Sequence, residues 1–144
     1  MCWQCIANGA NGLVMYSWFD LWKEPNGVSF DQRWAECCRV GEEIKRHIPV
    51  LLADELYGFA ANADGTMIPA SESDPLSVRA WRHDGAVWLL AVNSSDKALD
   101  TQLRLSKSCV SVASAFGAVP QLAENGRKLV VSLAPLEPIL LCLR

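Results

Sequence analysis

The hydrophobic period of this chain changes at Pro49, and that change divides what the chain can fold into. Before Pro49 the apolar residues recur at helical spacing: Phe30, Trp34, Cys37, Cys38, Gly41, Ile44 and Ile48 share one broad face, the pattern of an amphipathic helix. Ser29 and Gln32 have the spacing of a capping box, which satisfies two free amides where a helix starts. Lys45, Arg46 and His47 suit the negative end of the helix dipole. Proline has no amide hydrogen to continue the ladder, so Pro49 predicts a stop at about His47. Beyond it come short runs that alternate or stay apolar: Leu76 to Arg82, Ala86 to Asn93, Leu99 to Leu105, Cys109 to Phe116, Lys128 to Leu133 and Pro138 to Arg144. Short runs separated by turn signals predict an all-β antiparallel sandwich.

The turns are explicit. His83-Asp84-Gly85 predicts a tight hairpin, since Asp-Gly accepts the positive φ angles such a turn needs. Asn93 to Asp96, Asn125-Gly126 and Pro135 to Pro138 supply others. Residues 54–74 read as an extended connection with one edge strand. The boundary falls near Leu52 to Glu55, which gives two parts, residues 1–53 and residues 54–144. By content the chain is α+β.

The N-terminal part has its own order. Cys2, Trp3, Cys5 and Ile6 lie at helical spacing with Asn8 and Gly9 as stop signals, the end of a helix. Gly9 to Asp20 follows, and its run Leu13 to Phe19 is apolar almost without interruption. A strand buried on both faces of a parallel sheet reads this way. Lys23 to Gly27 is a turn cluster, and the helix from Ser29 follows. Helix, strand, loop and helix make one and a half βα repeats, the last part of a (β/α)8 barrel. A whole barrel takes roughly 250 residues, so the chain reads as beginning inside one.

Composition excludes some classes. The 144 residues are 51% hydrophobic and carry a net charge of −3 with scattered signs. No Lys/Arg cluster is present to displace counterions from phosphates, which argues against a nucleic-acid partner. No apolar stretch approaches the roughly 18 residues of a membrane span, and Met1 does not open a signal-peptide pattern. Localisation is left open, because an N-terminal signal of a longer parent would lie upstream.

Gly9-Ala10-Asn11-Gly12, the apolar strand and Tyr16-Ser17-Trp18 together resemble the eighth strand of retaining (β/α)8 glycoside hydrolases, most closely the β-galactosidases of glycoside hydrolase family 42. The resemblance implies that Trp18 lines the sugar subsite beside the scissile bond. Independently of the family, an indole face offers a rigid surface to the C–H side of a pyranose. Active-site groups of such barrels sit at the carboxyl ends of the strands, which adds Tyr16, Asp20 and Trp22 as candidate substrate-binding residues. Ser17 stands where the family has Gln and Phe19 where it has Arg, so substrate identity is not carried over. Val87 to Asn93 and Leu133 to Pro138 resemble the small sandwich that closes many such hydrolases. The two catalytic carboxylates of a retaining glycosidase would come from the fourth and seventh strands, upstream of Met1. Asp20 and Glu24 read as a solvated turn. This chain alone is therefore expected to be inactive, to need no cofactor or metal, and to meet carbohydrate only as part of the complete enzyme.

Other groups carry weaker expectations. Cys2-Trp3-Gln4-Cys5 is a C-x-x-C, but a redox motif of this kind follows a strand and opens a helix, and the six cysteines read chiefly as small buried hydrophobes. Trp3 and Trp34 read as packing residues. Trp81 and Trp88 flank the hairpin turn and in register share a face, as packing or as a carbohydrate platform; the platform would make the chain a free-standing binding module. His47 and His83 read as separate, with no metal site. An isolated copy would expose Leu13, Val14, Met15 and the helix face, a patch that favours self-association.

Overall fold

The computed structural model describes residues 2–14, 22–23, 27–69 and 74–144. Helix α1 spans Cys2–Ala7 and helix α2 Phe30–Leu51. The strands are β1 (Asp54–Glu55), β2 (Ala60–Asn62), β3 (Leu76–His83), β4 (Ala86–Asn93), β5 (Leu99–Leu105), β6 (Val112–Phe116), β7 (Gln121–Ala123), β8 (Lys128–Leu133) and β9 (Pro138–Leu143). Two antiparallel sheets form, ordered β1-β3-β4-β9-β6 and β2-β5-β8-β7.

The sheets pack face to face around Leu76, Leu89, Ala91, Leu103, Leu129 and Leu141, all buried. The sandwich is thus present. The larger sheet is covered on its other face as well: Trp81, Leu90, Val92 and Leu140 pack against Trp3, Ile6 and Ala7 of α1 and Val50 of α2. Successive side chains of a strand point to opposite faces, so β4 sends Leu89 and Ala91 into one core and Leu90 and Val92 into the other. The layers run helices, sheet, sheet.

Local signals explain most elements. Asp84 and Gly85 adopt φ of 49° and 72° between the paired residues His83 and Ala86, the two-residue hairpin expected of Asp-Gly. Ser29 caps α2: its hydroxyl accepts from the Gln32 amide, and the Gln32 side chain accepts from the Ser29 amide.

Three boundaries differ from the sequence reading. Helix α2 continues through Pro49 to Leu51. The proline removes one helical hydrogen bond, while burial of Val50 against the sheet and the Leu52 amide donating to the Ile48 carbonyl hold the extra turn. Lys45, Arg46 and His47 therefore lie before the last turn. The connection 54–74 contributes two edge strands, β1 and β2, where one was expected, and β7 is a further edge strand too short to show a period. The fourth predicted run starts at Val112, not Cys109, because Cys109 turns inward and pairs its amide with the Gly126 carbonyl at 2.8 Å.

Candidate functional site

Of the four candidate sugar-binding residues, Tyr16, Trp18 and Asp20 lie outside the described residues, as do Ser17, Phe19 and Glu24. Trp22 is described. It is 58% exposed, and its ring stacks on Phe30 at the start of α2, with centroids 4.6 Å apart and planes 20° from parallel. An exposed indole held flat at a loop end is a surface on which a sugar ring can lie.

The segment leading toward those residues runs along a groove of about 370 Å³ lined by Ile6, Gly12, Leu13, Ile44, Ile48 and Leu52, among others. The apolar face of α2 borders it and continues along the helix, only partly covered: Ile44 packs against the buried cluster, while Ile48 and Trp34 are each 44% exposed and Leu52 71%. The expectation that Trp34 is a packing residue is thus corrected. Helix α2 docks through the end that carries Val50, which leaves Trp34, four turns earlier on a rod of 22 residues, beyond the edge of the sheet.

Arg79 joins this groove to the sandwich. It rises from the outer face of β3, and one of its terminal nitrogens donates to the carbonyls of Ile6 and Ala10, at 3.0 and 3.4 Å. The other donates to the Asn11 side chain at 3.2 Å and to the Glu55 carboxylate at 2.6 Å. The guanidinium also lies 5.2 Å from the centre of the Trp81 ring. The hydrogen bond from Arg79 holds the Glu55 carboxyl below its ordinary value against the opposing effect of burial. Asn8 adds a side-chain bond to Ser77 at 3.0 Å, and the Trp3 indole donates to Glu43 at 3.0 Å. Neither Arg79 nor Glu55 stands out in the sequence. An arginine in mid-strand, two residues before Trp81 on the same face, is the signal that marks it.

Trp81 and Trp88 are cross-strand partners, as the hairpin register predicts. They do not form an exposed platform. Trp81 is 1% exposed beneath the helical layer, and Trp88 is partly covered by His47, with ring centroids 6.4 Å apart. His47 and His83, expected to be separate, line one cleft together with Trp88.

The cysteines divide differently from the expectation. Cys109 is buried, and burial pushes its thiol up. Cys5 and Cys38 are exposed, and Cys2, Cys37 and Cys142 are intermediate. The exposed ones sit on parts of α1 and α2 that have no cover. Among the described residues no three His, Cys, Asp or Glu side chains gather as a metal site, and no helix is long and apolar enough to cross a membrane. No family model matches the chain, and neither a curated protein nor a solved structure matches it.

Proposed function

We propose that this chain is the C-terminal, non-catalytic portion of a retaining (β/α)8 glycoside hydrolase acting on β-linked sugars. In this reading residues 1–53 are the last helix, strand and helix of the barrel, and residues 54–144 are a sandwich that braces it. Trp18 stacks on the sugar ring beside the scissile bond, with Tyr16, Asp20 and Trp22 around it. The catalytic acid/base and nucleophile lie on earlier strands.

The observation that supports this reading best is the exposed part of the apolar face of α2 beside Gly12 and Leu13. An outer helix of a (β/α)8 barrel packs that face on parallel strands, which would cover Ile48 and the neighbouring Leu52, now 44% and 71% exposed. The same end of α2 docks on the sandwich through Val50, which gives the brace a physical basis.

The test is the transcript upstream of the Met1 codon, read in the same frame. The expected result is an open frame encoding further strand–helix repeats with a glutamate at two strand ends. A stop codon and a ribosome-binding site immediately before Met1 would overturn the proposal.

A further inference from the structure

The second cleft lies on the far side of the helical layer, and its chemistry is distinct from that of the apolar groove. It has a volume of about 370 Å³ and is lined by Arg46, His47, His83, Trp88, Cys142 and Arg144, among others. That volume falls in the range of roughly 300–1,000 Å³ typical of small-molecule sites. The floor is sheet, since Trp88 and Cys142 are direct partners across β4 and β9. One wall is the last two turns of α2 and the other is the β3–β4 turn.

The polar groups there favour an anion. Arg46 and Arg144 are both exposed, and among the described residues neither guanidinium has an ion-pair partner. The one acidic side chain of the lining, Asp84, faces His83 at 3.4 Å and is 89% exposed. His47 supplies a directed group: its Nδ1 is 2.8 Å from the Glu43 carbonyl. A carbonyl only accepts, so Nδ1 carries a proton, and Nε2 is the ring nitrogen left for a further hydrogen bond. An indole face, two guanidiniums suited to a carboxylate and an imidazole therefore meet in one cleft.

We propose that this cleft binds a six-membered ring bearing a carboxylate, either a sugar acid or an aromatic acid. The ring lies on Trp88 and the carboxylate meets Arg46 and Arg144. The proposal does not rest on the barrel reading, because none of these residues borders the groove or the Trp18 strand.

The experiment titrates the full chain, labelled with nitrogen-15, with D-glucuronate and D-galacturonate in one arm and benzoate in another, following the indole resonances. Glucose and acetate supply the ring without the charge and the charge without the ring. The Trp88 signal is assigned with Trp88→Phe. Saturable shifts of that signal are expected with the hexuronates or with benzoate, and the arm that saturates names the source. Arg46→Gln and Arg144→Gln are each expected to weaken binding up to about fivefold, the scale of an exposed ion pair, with the fold unchanged by circular dichroism. Absence of saturation with all three acids overturns the proposal. So does acetate binding as tightly as they do, or an affinity untouched by both arginine substitutions.

Discussion

Replacing Arg79 with methionine tests the joint between the helical layer and the sandwich, because methionine keeps much of the stem and removes every donor. The wild-type side chain is 9% exposed and its partner Glu55 21%, so the pair is largely shielded from water. Breaking a buried pair by removing one partner typically costs about 3–5 kcal/mol, mostly from the charge left behind. Glu55 keeps some contact with solvent, which lowers that figure, while the Ile6 and Ala10 carbonyls each lose a donor worth about 1 kcal/mol. The expected net loss is about 3 kcal/mol at neutral pH. With a urea slope of about 2 kcal/mol/M the midpoint falls by about 1.5 M. The pH dependence has a definite sign. The folded Glu55 carboxyl sits below its ordinary value of 4.5, chiefly through the Arg79 hydrogen bond. Its ionised form therefore stabilises the fold above that value, and the contribution is lost as pH falls through the folded one. The gap between wild type and Arg79→Met should be widest well above pH 4.5 and should close on acidification. Urea melts across pH, with Glu55→Gln and the double variant completing a cycle, measure all of this. A loss under about 1 kcal/mol, or a coupling energy with Glu55 near zero, would refute the reasoning.

Gly126→Ala is expected to cost at least about 2 kcal/mol by thermal melting, because the residue has φ +81° and a Cβ there would lie against the Cys109 backbone, 2.8 Å from its nitrogen and closer to its carbonyl oxygen. The exposed part of the α2 face should make the chain self-associate; light scattering across concentration should show a rising mass, and Ile48→Glu with Leu52→Glu should reduce it. Timed alkylation followed by mass spectrometry should label Cys5 and Cys38 first and Cys109 last, since Cys109 is buried and its thiol is held up by desolvation.

The sandwich was legible because its signals are local. The Asp84-Gly85 turn, the strand from Ala86 to Asn93 and those from Leu99 and Lys128 follow from turn residues and runs of apolar side chains that need no distant partner. What the residues alone did not disclose depends on where surfaces meet. Pro49 reads as a stop unless Val50 is known to be buried. Trp34 and Trp81 look alike as apolar residues, and only the docking of α2 by its end separates an exposed ring from a buried one. His47 and His83 are brought to one cleft by the same docking. The sugar-site residues from Tyr16 to Asp20 rest on the family resemblance, while Trp22 has the added observation of its stacking on Phe30.

Strand β4 faces apolar layers on both sides, and this removes a kind of information that most strands carry. An alternating strand that slips by one residue turns its polar side chains inward, so its pattern guards its own alignment. In Val87-Trp88-Leu89-Leu90-Ala91-Val92 a slip exchanges one apolar set for another, and the pattern offers little resistance. Alignment must then be pinned from the ends. At one end stands the two-residue turn of Asp84 and Gly85. At the other stands Asn93, wholly buried, whose side chain donates to the carbonyls of Lys97 and Ala134 at 2.7 and 2.9 Å. It also accepts from the amide and hydroxyl of Ser95 at 3.0 and 2.8 Å. One amide side chain thus satisfies its whole hydrogen-bonding capacity in a single alignment of the strand, and a slip in either direction would strand it among hydrocarbon.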